Sequence, residues 1–231
     1  MNGKISTGME PIDRQLSGGI RPGNLLAISA GPMTQSEALL YQLIGTRPTL
    51  YLTTLREVEA VKSGLPDSVT DNVYVQSVSQ EQSMDSEFLR EVTGSGSYNT
   101  TFASSNSIVD SVYEIVSNID RDINVIVDPM NPLEETGNDE VYREVLNEIK
   151  STMLETDGLG VLHCVTMDRP PALRDVTLMV SDMVWELELT PSKDELEYKL
   201  TIPKNRDGVP VLEKTTLKFE SEVWVDETRR I

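Results

Sequence analysis

Residues 30–38, Ala30-Gly31-Pro32-Met33-Thr34-Gln35-Ser36-Glu37-Ala38, stand where a chain could cradle phosphate. An apolar run, Leu25 to Ser29, precedes them, and Ser36 to Ile44 follows with Leu39, Leu40, Leu43 and Ile44 on one helical face. A working phosphate loop between strand and helix reads G-x-x-x-x-G-K-[ST]. Its glycines let backbone N–H groups curl round the phosphates, its lysine neutralises them, and its hydroxyl holds Mg²⁺. Counted from Gly31, the second glycine is Ser36, the lysine is Glu37 and the hydroxyl residue is Ala38; Pro32, Thr34 and Gln35 fill the span between. Glu37 turns an attraction into a repulsion, on the order of 4 kcal/mol per unit interaction at about 4 Å and an effective dielectric of about 20. No register shift restores the motif, because no lysine lies between Lys4 and Lys62. On the motif alone, residues 30–38 are a plain strand-to-helix turn.

Asp128 ends a second apolar run, Ile123 to Val127, and Pro129-Met130-Asn131-Pro132 stiffens the turn behind it. It is either a vestigial metal ligand or a carboxylate that solvates a sheet end. His163 and Cys164, each the only one of its kind, fall inside the buried-strand pattern Val161 to Val165. With no second His or Cys, no metal site and no Cys–His nucleophile pair is expected. Trp185 and Trp224 are read as packing residues. Lys204 and Arg206 alternate along a strand, so both point to one face.

Short apolar runs alternate with longer amphipathic segments, which predicts a βαβ series and a mainly parallel sheet. Strands are expected at 25–29, 50–52, 73–75, 123–128 and 161–165, and helices at 36–44, 57–62, 84–92, 107–118 and 139–155. A Gly/Ser/Thr/Asn loop covers 93–101. From residue 182 the pattern alternates, at 183–189, 195–202 and 216–219, which predicts antiparallel strands appended to the sheet.

The 231 residues suffice for one α/β domain. There are 38 acidic and 20 basic residues, net −18, which disfavours nucleic acid and acidic membranes as partners. The acids are spread along the chain, as on a surface hydrated in the concentrated salt of a salt-accumulating archaeal cytoplasm. One cysteine leaves no internal disulfide and suits a reducing cytoplasm. No secretory signal is expected in Met1 to Ser6, and no apolar run of membrane-spanning length occurs.

The segment from Ser6 to Leu25, STGMEPIDRQLSGGIRPGNL, resembles the opening of RadA/KaiC-like ATPases of the RecA superfamily, "TG-x-x-x-LD-x-L-x-GGG-x-x-x-G". Ile12 takes the Leu slot, Ser17-Gly18-Gly19 ends the helix, and Gly31-Pro32 begins the loop as the family's "GPPGTGKT" does. Val125-Ile126-Val127-Asp128 resembles a Walker B strand, whose Asp would bind Mg²⁺ through water. Val180 to Leu187 resembles the "ADgvi-x-L" strand, Leu200 to Gly208 the "l-x-v-x-K-x-R-g" strand and turn, and Leu217 to Val225 one closing strand. Where the family carries paired catalytic acids after the second strand, this chain has Leu55-Arg56, with Glu57 and Glu59 just beyond.

The resemblance implies a single RecA/KaiC-like domain over 1–231, a mainly parallel sheet flanked by helices, and antiparallel strands at the C-terminal end. It implies that Lys204 and Arg206 reach a neighbouring subunit. With the loop lysine and catalytic acid lost, the expected function is that of a non-catalytic regulatory or scaffold protein, for instance in signal transduction. It would act through a protein partner, either an active paralogue or itself. No cofactor is expected, with ATP and Mg²⁺ bound only if the degenerate loop still holds them. The alternatives are a RadA-paralogue-like recombination accessory protein on single-stranded DNA and a weak ATP-binding protein or ATPase. The first needs a basic groove and stacking aromatics, whereas aromatics are 5% and no Lys/Arg cluster is visible.

Overall fold

A computed structural model describes residues 3–44, 47–78, 107–191, 196–219 and 223–226. The helix expected at 84–92 and the loop at 93–101 lie outside them. The order is α1 (Glu10–Gln15), β1 (Leu25–Ala30), α2 (Glu37–Ile44), β2 (Thr49–Thr53), α3 (Val58–Lys62), β3 (Val73–Ser77), α4 (Ile108–Ser117), β4 (Asn124–Asp128), α5 (Asn131–Glu134), α6 (Asp139–Glu155), β5 (Gly160–Val165), α7 (Arg174–Val180), β6 (Met183–Pro191), β7 (Leu196–Asn205), β8 (Val211–Phe219) and β9 (Val223–Val225). The described strands form one nine-stranded sheet, β3-β2-β4-β5-β1-β6-β7-β8-β9. Pairings from β3 through β6 are parallel, and β6 to β9 pair antiparallel.

The apolar runs are continuous because both faces of the parallel strands are covered. Leu26, Ile28, Ile126 and Val161 face one core, with α1 and α2, while Leu25, Ala27, Val125, Val127, Leu162 and Cys164 face the other, with α4 and α6. Helix starts follow side-chain capping. Ser107 and Asp110 form a reciprocal capping box at α4, and Asn138 accepts from the Val141 N–H at α6.

The glycines of the opening segment have steric duties. At Gly19 (φ +115°) a Cβ would lie 2.3 Å from the Ile5 carbonyl oxygen, where Ile5 and Ile20 pair as an isolated bridge. At Gly8 (φ +77°) it would strike Gln42 of α2. Asp13 then ties the segment down, its Oδ1 accepting from the Thr7 N–H and hydroxyl, both at 2.8 Å.

One expectation needs correction. Leu217 to Val225 is not one closing strand. Leu217, Lys218 and Phe219 of β8 pair antiparallel with Val225, Trp224 and Val223 of β9, so the chain reverses there. The strand pattern cannot distinguish a long strand from two halves folded back, since alternation continues through both. Helix α7 was also not legible, being seven residues cut from a proline-rich approach. Among the described residues, no helix is long and apolar enough to cross a membrane.

Candidate functional site

Sheet register brings the chemistry together. Thr53 of β2 pairs with Asp128 of β4, and Val127 pairs with Leu162 of β5, which places Asp128 beside His163. Side chains alternate across a strand, so Tyr51, Asp128 and His163 share the face covered by α2. Ser36 arrives there from the β1–α2 turn.

Asp128 is the hub. Its Oδ1 lies 2.5 Å from His163 Nδ1, and its Oδ2 accepts from the Tyr51 hydroxyl and, at 3.1 Å, from Arg56 Nη2. On the far side of the ring, His163 Nε2 is 2.9 Å from Ser36 Oγ. The same Arg56 nitrogen contacts the hydroxyls of Tyr51 at 3.0 Å and Tyr41 at 3.2 Å. Ser36, Asp128 and His163 are 4%, 3% and 1% exposed. Asp128 therefore does not solvate the sheet end: six side chains from β2, β4, β5, α2 and two turns close a polar network with Ser36, Tyr51, Asp128 and His163 buried at its centre.

The electrostatics follow the geometry. Burial opposes ionisation of Asp128, but the hydrogen bond and charge of His163, the Tyr51 hydroxyl and Arg56 outweigh it and hold the carboxyl below its ordinary value. Burial, then the charge of Asp128, pushes the Tyr51 phenol far above its ordinary range. For Arg56, burial works against the charge, while the hydrogen bond to the Tyr41 hydroxyl, the neighbouring Tyr51 hydroxyl and the Asp128 charge outweigh it, so the guanidinium stays protonated.

A pH dependence follows. The folded value of Asp128 lies below its unfolded one, so its contribution to stability is complete above the unfolded value, about 3.9, and is lost as pH falls through the folded value. Thermal denaturation between about pH 5 and pH 2 should show a loss of stability that Asp128→Asn lacks in part.

The β1–α2 turn closes on itself. The Thr34 N–H and hydroxyl both donate to the Gly31 carbonyl, at 3.1 and 2.6 Å, and Gln35 takes a left-handed φ of 48°. Pro32 and Gln35 are exposed, Ala38 packs partly on the core, and Glu37 opens α2. An acid there complements the positive helix end. Of the residues near the acid slots, Leu55, Glu57 and Glu59 are exposed, and only Arg56 turns inward.

Lys204 and Arg206 do converge, on the end of α7 in their own chain. Lys204 Nζ donates to the Leu178 and Met179 carbonyls at 2.7 and 2.9 Å, and Arg206 Nη2 to Met179 at 2.8 Å. Such contacts cap a helix C-terminus. Arg206 also meets Asp182, whose other oxygen takes the Leu25 N–H and Lys150. Trp185 is fully buried, and Trp224 lies under the Lys218 ammonium, 5.4 Å from its ring centre. Among the described residues no group of three or more His, Cys, Asp or Glu could hold a metal ion.

A protein-family profile described as a family of unknown function, DUF7125, matches residues 4–231. The chain belongs to DUF7125. No curated protein matches it. Among solved structures, a KaiC-like protein from the hyperthermophilic archaeon Pyrococcus horikoshii is 15% identical, with a TM-score of 0.66, over 96% of this chain and 98% of that one. At that identity the likeness establishes the fold, so this DUF7125 member has a KaiC-like RecA fold.

Sequence reasoning missed Tyr51, Arg56 and His163 as site residues. Their partners are 72, 35 and 127 residues away for the Arg56–Asp128, His163–Asp128 and Ser36–His163 contacts, and no local pattern carries that information. The available signal was the pairing of a lost acid (Arg56) with a retained one (Asp128).

Proposed function

We propose that this chain is an ATPase-fold protein that is non-catalytic toward ATP and serves as a regulatory or scaffold protein. Its partner is a protein, either an active relative or a second copy of itself. The observation that carries the reading is the Arg56 guanidinium 3.1 Å from Asp128 Oδ2. In P-loop ATPases a carboxylate at the end of this strand helps hold Mg²⁺, a loop lysine cradles the phosphates, and a further residue orients the attacking water. Here the carboxylate is paired from within with Arg56 and hydrogen-bonded to His163, the loop lysine is Glu37, and Arg56 replaces an acid. Mg-ATP does not fit these residues. A metal at Asp128 would meet a fixed cation, and phosphates would meet the Glu37 carboxylate.

The losses compensate one another, which supports a settled alternative state of the loop rather than a weakened ATP site. The net charge of −18 suits a salt-rich cytoplasm and speaks for protein rather than nucleic-acid partners. The test is phosphate release from Mg-ATP by the full chain in high KCl. Release equal to the blank is expected, and turnover that vanished in Asp128→Asn would contradict the reading. Cross-linking in native extract should recover one partner at fixed stoichiometry.

A further inference from the structure

Ser36, His163 and Asp128 lie in line, and the line has a direction. The Arg56 and Tyr51 donors make Asp128 an acceptor, so the 2.5 Å contact at Oδ1 is the His163 Nδ1–H donating. That tautomer leaves the Nε2 lone pair facing Ser36 Oγ at 2.9 Å, so the serine hydroxyl donates to it. A serine held on a base whose other nitrogen is fixed by a carboxylate is the constellation that activates a hydroxyl for acyl transfer. It recurs on unrelated folds and is recognised by geometry and roles.

The placement of Ser36 agrees. It sits one residue before α2, directly after the left-handed Gln35, on a strand–turn–helix corner.

We propose that Ser36 is a nucleophile, with His163 its general base and Asp128 the positioning residue, and that it accepts acyl groups from small neutral carboxylic esters. This goes beyond the reading above, which concerns ATP. Glu37, adjacent in sequence, disfavours anionic substrates. Ser36 is 4% exposed beneath a turn whose Met33 is 79% exposed, so substrate enters by displacement of residues 32–35, and only small esters pass. In the step, the Ser36 Oγ–H proton moves to His163 Nε2 as the Oγ–C bond forms at the ester carbonyl. The C–O bond to the alcohol then breaks, and His163 returns the proton to the departing oxygen. Water repeats the sequence on acyl-Ser36 and releases the acid.

The test is labelling of the full chain in high KCl by an alkyl fluorophosphonate, read by intact mass and peptide mapping. Ser36 Oγ displaces fluoride, forming an O–P bond and passing its proton to His163. The expected result is one adduct, on the Ser36 peptide, absent in Ser36→Ala and slowed about 100-fold or more in His163→Gln. Asp128→Asn, which keeps hydrogen-bonding capacity but disturbs the tautomer, should slow labelling while the chain stays folded by circular dichroism; it decides the case if His163→Gln fails to fold. A stoichiometric burst of p-nitrophenol from p-nitrophenyl acetate should follow the same order. An unlabelled folded chain, or labelling at equal rate in the variants, would overturn the proposal and identify the relay as a structural clasp. Phosphate release from Mg-ATP is scored separately, so either reading can fail without the other.

Discussion

Glu134→Ala is expected to lower the free energy of unfolding by about 3–5 kcal/mol, because it leaves a buried guanidinium unpaired. Glu134 at the end of α5 is fully buried. Its Oε1 accepts from Arg174 Nε at 2.8 Å and from the Thr177 hydroxyl at 2.5 Å, and its Oε2 is 2.7 Å from Arg174 Nη2. Thr177 in turn contacts the Tyr142 hydroxyl at 2.6 Å, and Arg174 reaches Asn131 Oδ1 and the Val165 carbonyl, both at 3.2 Å. Burial works against the Arg174 charge, but the Glu134 hydrogen bonds outweigh it and raise its pKa. Removing the carboxylate alone strands a buried guanidinium. Replacing both partners, Glu134→Leu with Arg174→Met, should cost much less, because no unpaired charge remains. Urea denaturation reads the difference: a midpoint lowered by roughly 1–2 M in the single variant, with most of it recovered in the double one.

The second large effect is at the hub. Asp128→Ala is expected to cost about 3 kcal/mol, because Tyr51, His163 and Arg56 all lose an acceptor where water is scarce. Arg56→Ala should cost about 1 kcal/mol or less, since its side chain is 34% exposed and water can replace part of what it loses. The order matters more than either value. If Arg56→Ala proved the more damaging, the guanidinium and not the carboxylate would organise the network.

The strands and the long helices were readable because each depends on local pattern. Val125-Ile126-Val127 reads as buried in both directions, and α6 matches its predicted span residue for residue. The glycines of the opening segment were readable as spacing, and the structure supplies their reason in the Ile5 carbonyl behind Gly19. The site was half readable. Ser36, Glu37 and Ala38 announce what the loop lacks, but what replaced it arises from sheet order. β4 lies between β2 and β5, so Asp128 meets Tyr51 from one side and His163 from the other. A lone histidine in an apolar run gives no sign that its ring lies between a carboxylate of the next strand and a serine of the β1–α2 turn. The hairpin between β8 and β9 and the capping of α7 by Lys204 and Arg206 were hidden for the same reason.

The most direct measurement is the melting temperature of the full chain in high KCl with and without millimolar Mg-ATP. Ligand that binds the folded state at concentrations about 100-fold above its Kd adds about 2.7 kcal/mol of stability, a shift of several degrees. With Arg56 and His163 on Asp128 and Glu37 at the turn, no shift is predicted. A clear rise that disappeared in Asp128→Asn would contradict the account.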